Sequence, residues 1–578
     1  MKLAKKSLYW LAAAAFTFPL LTACGGGSDK PEIRTIAYGT VVGVNDYANT
    51  GTYFWKGIPF AKPPVGALRW KAPVEPDLWT NPISAKTFGN ACVQAGRIYG
   101  PGANNTYDMT IATTLNTAVG SEDCLTLNVW RPATGDTNLP VIYFIYGGSN
   151  ISGYSADPTY DGATLANAAN AVVVTANYRL GLFGWLNLPQ LKTSTNALDD
   201  SGNFATLDQV KVLQFINKNI TSFGGNPGNV TLMGQSAGAV NVYGLLVSPQ
   251  TLGANLFHRA IPVSGGISLA SQLPPGSIAT LSPASTYLAQ GNALLSNLLI
   301  TDGKAKDTAS AAAYIATQTS AQIADYMRSK TPSDIFTVML TKLAAAGLSG
   351  SGPIPEGTVI PPDPIASINA GKYNKVPILA STTLNEAKLF AAYLALPALG
   401  GKAGFIVDDA TRFSMMYNFN GDAAPTLKTA DLINSIYLPV DTPSTGYNVR
   451  TDLLNGMFFI ASRDSVLNAL KSQQSNVWYY QFNWDLEPAP WNDVYGAAHA
   501  FDLPFLFGNF GPSLFSSSIN STVNKPGRLA LSKAMMASIA AFARNGDPNN
   551  ATLGVTWSAW PQRLYFDADL NKTQISTQ

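Results

Sequence analysis

The chain has 578 residues, of which 12% are charged, 46% hydrophobic and 11% aromatic. Soluble proteins average about 25% charged residues, and disorder needs high charge with few aromatics, so the composition points to a folded chain. Lys+Arg number 37 against 35 Asp+Glu, with Cys 3 and His 2, which excludes the basic excess of a nucleic-acid binder, excludes a disulfide scaffold and leaves little for a metal centre.

Residues 1–24 read MKLAKKSLYWLAAAAFTFPLLTAC. Lys2, Lys5 and Lys6 precede an apolar stretch from Leu8 to about Leu21, broken by Pro19. This is the layout of a secretory signal and is short for a membrane span. The closing L-T-A-C, followed by Gly25, Gly26, Gly27 and Ser28, resembles the lipobox of bacterial lipoproteins. That resemblance implies a signal peptide over 1–23, a lipidated Cys24 as the new N-terminus and a flexible tether over 24–34. Gly25 after the cysteine, rather than Asp, resembles outer-membrane sorting. The expectation is an exported chain that meets the membrane only through this anchor. The alternative is an ordinary secretory signal with a coincidental cysteine. Either takes the chain to a compartment where disulfides persist. With Cys24 assigned to lipid, Cys92 and Cys124 remain, as a disulfide or as two buried thiols.

Beyond the tether, apolar runs alternate with helical patterns. LPVIYFIYGG (139–148) reads as a buried strand entering a glycine turn, and AVVVTANYR (171–179) as another strand. Phe204, Leu207, Val210, Leu213 and Ile216 recur at helical spacing. NVTLMGQSAG (229–238) is a strand followed at once by small residues; KVPILASTT (375–383) and NVWYYQFNW (476–484) look similar. Strands alternating with helices predict an α/β fold with a mixed, mostly parallel sheet flanked by helices. The Ala- and Leu-rich stretch at 285–345 and the region 390–470 read as helical insertions, with bounds of about 270–365 and 390–470. One sheet domain over 35–578 accounts for the length better than a string of domains.

Gly234 to Gly238 spell GQSAG, which fits G-x-S-x-G between a strand and a helix. The motif places Ser236 on a tight corner with its hydroxyl exposed, as a nucleophile requires. A serine needs a base at neutral pH, and the chain has two histidines. His258 sits beside Arg259 just before an apolar strand and reads as an element-end residue. His499, in VYGAAHAFDLPFLFG, sits in a loop with small residues before it. The order Ser, acid, His of α/β hydrolases leaves room for an acid before His499 and barely any before His258. The acid must follow a strand to orient the imidazole. Glu386, in VPILASTTLNEAKLF, does so, whereas Asp325, Asp334 and Asp408 read as solvated surface.

With these segments in view, the chain resembles the type-B carboxylesterases, the cholinesterase-like branch of the α/β hydrolases. The likeness covers TYFWKGIPFAKPPVGALRWKAP (52–73), SEDCLTLNVW (121–130), IYGGSNISG (145–153), NYRLGLFGWL (177–186), residues 202–238, LFHRAIPVSG (256–265) and FARNGDPN (542–549). It implies the α/β-hydrolase fold, a triad of Ser236, Glu386 and His499, and a disulfide between Cys92 and Cys124. It implies an oxyanion hole from the N–H groups of Gly148, Ser149 and Ala237. It implies structural ion pairs Arg69–Glu122 and Arg179–Asp208, a buried Ser264 near the acid, and no metal or cofactor. One departure stands out: the family has three glycines in the oxyanion loop, and here Ser149 follows Gly147 and Gly148.

The cholinesterase branch grips a cation with aromatic faces and a nearby carboxylate. Here Gln235 replaces the Glu before the nucleophile, Leu389 replaces the aromatic after the acid (Phe390 follows it), and the 92–124 loop has no Trp. A small, neutral, largely apolar ester is the expected substrate, cleaved by acyl transfer. Amides, carbamates and polymeric esters remain alternatives, as does a non-catalytic adhesion role on the same fold. No nucleic acid partner is expected, and oligomeric state is left open.

Overall fold

The strands form where the sequence runs apolar on both faces. The structure, a computed structural model, describes residues 30–578. The signal segment and Cys24 lie outside the described residues. Ile33 and Arg34, assigned above to the tether, already pair with Val42 and Val41 in a short antiparallel ladder.

One 11-stranded sheet organises the chain. In chain order its strands are β1 (Val44–Asp46), β2 (Thr52–Pro59), β3 (Thr126–Pro132), β4 (Leu139–Ile145), β5 (Val172–Ala176) and β6 (Gly225–Gln235). β7 (Arg259–Val263), β8 (Ile378–Thr383), β9 (Val477–Phe482), β10 (Leu564–Phe566) and β11 (Ser576–Thr577) follow. Across the sheet the order is β11-β10-β9-β8-β7-β6-β4-β5-β3-β2-β1. From β10 to β5 neighbouring strands are parallel, and antiparallel pairs close both edges. Every residue of β4, β5 and β8 is buried, as expected of central parallel strands covered on both faces.

The chain leaves β4 toward β5 on one side and returns to β6 on the other. Such a reversal opens a crevice beyond the carboxyl ends of the two strands, where α/β sheets place their ligands. Both GGS and GQSAG lie at these ends.

Helices cover the sheet. In α1 (Phe204–Asn219) the five residues at helical spacing are all buried. Asp208 is buried with them, and Arg179 Nη2 meets its Oδ1 at 2.6 Å. α2 (Ala237–Val247) is buried along its whole length. The stretch after 280 forms several helices, beginning with α3 (Ala284–Thr301). They pack an apolar cluster around Leu294, Leu298, Met327 and Phe336 that also takes in Trp70, Phe183 and Phe204. Between β8 and β9, α4 (Tyr447–Asn455) runs through a wide turn at Gly456–Ile460 into α5 (Ala461–Lys471). That wide turn presents Phe459 toward the site described next. The long α6 (Lys525–Asn545) packs near the C-terminus. Cys92 and Cys124 form a disulfide, with Cα atoms 5.0 Å apart, and Arg69 pairs with Glu122 beside it.

Candidate active site

Ser236 stands alone between β6 and α2, at φ 59° and ψ −124°. This region is costly for a residue with a side chain and persists only where the surroundings enforce it. Here they do. The Ser236 N–H donates to Val263 O on β7 at 2.9 Å. A Cβ at position 238 would lie 2.0 Å from Ile145 O, and one at 234 would lie 2.4 Å from Gly238 O. The corner therefore closes only with glycine at both flanks, which is the physical content of G-x-S-x-G.

Glu386 opens the short helical turn that follows β8 and is fully buried. Its Oε1 accepts the Thr383 N–H at 2.7 Å, and its Oε2 meets His499 Nδ1 at 2.5 Å. In the neutral ring, the tautomer whose Nδ1 proton faces this carboxylate leaves a lone pair on Nε2. Backbone contacts hold the two loops together. Asn385 bridges to Ala498, and the Asn385 N–H donates to Ala497 O at 2.8 Å. The rings of Phe390 and Phe459 lie 5.1 and 5.0 Å from the imidazole. On the far edge of the ring, the Gln235 amide nitrogen is 3.1 Å from Nε2.

Ser236, His499, Gln235, Gly148 and Ser149 open on one cleft. Its walls are Tyr99, Tyr160, Leu389, Phe390 and Phe515, with Tyr99 stacked on Phe515 at 6.3 Å. Among the described residues lining it, none is Asp, Glu, Lys or Arg. Gly148, Ser149 and Asn150 all have positive φ, at 105°, 57° and 59°. The N–H groups of Gly148, Ser149 and Ala237 find no acceptor among the described residues. Gly148 and Ser149 line the cleft, and Ala237 is the first residue of α2, whose N-terminus leaves backbone donors unpaired.

His258 is elsewhere. Its Nδ1 accepts the Val230 N–H at 3.1 Å, and its own N–H donates to Val230 O at 2.7 Å. Burial, and then the neighbouring Arg259 charge, push its pKa down. It pins the start of β7 against β6, as an element-end residue does. Ser264 follows β7, with its N–H on Ser381 O at 2.9 Å and its hydroxyl buried.

Two features of the site had little sequence signal. Asp502 is fully buried and its carboxyl is pushed up to about 8, first by burial and then by the Glu386 charge. Phe459, on an insertion, reaches the imidazole through tertiary packing alone. Among the described residues there is no His/Cys/Asp/Glu group arranged to hold a metal. No described helix is long and apolar enough to cross a membrane.

Comparison with known proteins bears on the family and the fold. The model of the carboxylesterase family matches residues 30–578. The para-nitrobenzyl esterase of Bacillus subtilis is 30% identical over 93% of this chain and 95% of its own. Carboxylesterase 1D of Rattus norvegicus is 29% identical over 96% of this chain and 91% of its own. An acetylcholinesterase of Bungarus fasciatus is 28% identical over 90% and 79%. Among solved structures, a PNB esterase superposes with a TM-score of 0.69 at 26% identity, covering 94% of this chain and 97% of the other. A Geobacillus stearothermophilus carboxylesterase gives 0.67 at 25% identity, over 95% and 98%. The chain belongs to the carboxylesterase family, in its type-B, cholinesterase-like branch, and is a carboxylic ester hydrolase of the α/β-hydrolase fold.

Proposed function

We propose that Ser236 is the nucleophile, His499 its general base and Glu386 the carboxylate that orients the base, and that the substrates are neutral, largely apolar esters. The observation that carries this reading is the 2.5 Å contact of His499 with a buried Glu386, at a cleft shared with Ser236. Ser236 Oγ attacks the ester carbonyl carbon as Nε2 takes its proton. The carbonyl oxygen becomes an oxyanion, held by the N–H groups of Gly148, Ser149 and Ala237. Glu386 stabilises the imidazolium, which then protonates the departing alkoxide. Water repeats the sequence on the acyl-enzyme and frees the acid. A cleft without formal charge beyond His499 desolvates apolar groups cheaply and offers nothing to a charged one. Aromatic walls suit flat alcohols such as the nitrobenzyl group in one relative's name. The neutral Gln235 gives no electrostatic reason to take the choline ester in another's.

A panel of aryl esters, short acyl esters, choline esters, amides and a polyester film tests the reading. Aryl or short neutral esters should be turned over fastest, and choline esters slowly. Cleavage of amides alone would overturn it. Release of soluble acid from the film would extend the range to polymeric esters.

The location is a second part of the proposal. The L-T-A-C segment supports lipidation at Cys24 and an exported, outer-membrane-anchored enzyme. Replacing Cys24 by Ala should move the activity from the membrane fraction to the soluble one. Retention in the membrane fraction counts against the anchor.

A further inference from the structure

The lone pair on which the proposed mechanism depends is already engaged by a side chain of the same chain. Glu386 receives hydrogen bonds at both oxygens, from Thr383 N–H at 2.7 Å and from His499 Nδ1 at 2.5 Å. In the neutral ring with its proton on Nδ1, facing Glu386, Nε2 is an acceptor. The group that meets Nε2 is the Gln235 amide nitrogen, at 3.1 Å, and an amide N–H donates. Gln235 is 2% exposed and borders the same cleft as Ser236, its neighbour in sequence. The other groups around the imidazole are the Phe390 and Phe459 rings, with the buried Asp502 carboxyl beyond Glu386.

Resting on the roles given above to Ser236, Glu386 and His499, we propose that Gln235 is a positioning residue that caps the general base. Its amide holds Nε2 until an ester fills the cleft. The amide then turns away, and Nε2 accepts the Ser236 proton as the Oγ–carbon bond forms. The residue type matters as much as the contact. An amide donor stabilises the neutral ring, which is the form that acts as base. A carboxylate of the same shape would accept from a protonated Nε2 and stabilise the imidazolium, which cannot act as base. Gln235 thus keeps His499 competent at lower pH than a Glu at this position would.

Two substitutions separate the parts. Gln235→Met keeps the volume and removes the donor; Gln235→Glu keeps the shape and adds charge. Two readouts apply: the imidazole ¹⁵N resonances, resolvable because the chain has only two histidines, and the rate of Ser236 labelling by a small fluorophosphonate across pH. Gln235→Met should shift the His499 Nε2 resonance and speed labelling at the pH plateau by about 2- to 10-fold, the worth of one released hydrogen bond. Gln235→Glu should move the acid limb of the labelling profile upward by roughly one to three pH units. An unchanged Nε2 resonance and labelling rate in the Met variant, with an unmoved acid limb in the Glu variant, would overturn the cap. Labelling that persists at the wild-type rate in Ser236→Ala would instead overturn the nucleophile assignment, and the cap with it.

Discussion

Asp502 and Glu386 are two fully buried carboxyl groups, and burial first, then the charge of Glu386, raises the carboxyl of Asp502 from its ordinary 3.8 to about 8. The Tyr480 hydroxyl donates to its Oδ2 at 3.4 Å. With its carboxyl raised to about 8, Asp502 favours its uncharged form at neutral pH.

This pair makes stability depend on pH in a definite direction. The folded pKa of Asp502, about 8, lies above the ordinary 3.8 expected when unfolded, so between these values the folded chain binds the extra proton. Its contribution is complete below the lower value and is lost as pH rises through the upper one. Asp157, which burial pushes up to about 6, acts in the same sense over a narrower window. Asp502→Asn has no proton to lose. Its melting temperature should gain on wild type steadily as pH is raised from acid to mildly alkaline. A difference that stays flat across that range would show that Asp502 is not protonated in the folded chain.

The proposed chemistry predicts a hierarchy of losses. Ser236→Ala and His499→Ala should each lower kcat by roughly 10⁵–10⁶-fold, as when a nucleophile or base is removed from a comparable triad. Glu386→Gln should cost roughly 10⁴-fold by disfavouring the productive tautomer. His258→Ala should keep most of the activity and lose about 1 kcal/mol of stability with the Val230 hydrogen bond. A folded His258→Ala without activity would reverse the assignment of the base.

Ser149 carries the one departure from the family's oxyanion loop, at φ 57°. A side chain in the left-handed region costs about 1–2 kcal/mol, part of which glycine returns through its greater freedom when unfolded. Ser149→Gly should therefore keep its N–H donor and its kcat within a few-fold, while stability changes by no more than about 1 kcal/mol. A fall in kcat by about 10²-fold, the worth of one lost oxyanion donor, would mean that the serine side chain itself sets the loop.

The elbow leaves no room for a methyl group. Gly238→Ala would bring a Cβ to 2.0 Å from Ile145 O, a backbone atom of a central strand. Either Ser236 leaves its corner or β4 shifts, and fluorophosphonate labelling should fall at least tenfold even where the chain still folds. Normal labelling would mean that the corner can relax.

The Cys92–Cys124 bridge closes a loop with a sequence separation of 32. By the loop-entropy account a bridge of this span is worth about 3–4 kcal/mol. Cys92→Ala/Cys124→Ala should lower the unfolding free energy in denaturant titration by that order. A loss under about 1 kcal/mol would show that the unfolded chain is already restrained there.

Local pattern was enough for much of this protein. LPVIYFI and VVVTA read as buried strands because only a strand covered on both faces accepts unbroken apolar runs of that length. The GQSAG glycines announce a corner because nothing larger fits it. With only two histidines, the order Ser, acid, His singles out His499. These are properties of short segments, or of counting, and need no partner to be visible. Tertiary structure decided what depends on distance through space. Nothing in AAHAFDL distinguishes Asp502 from a surface carboxylate until the fold buries it against Glu386. Gln235 reads from sequence as a missing charge, and only the approach of the 499 loop to the end of β6 turns it into a hydrogen-bond donor to the imidazole. The walls of the cleft come from Tyr99, Tyr160, Phe390 and Phe515, from four separate parts of the chain. Their meeting is set by how these segments pack over the carboxyl ends of the strands, which no local periodicity encodes.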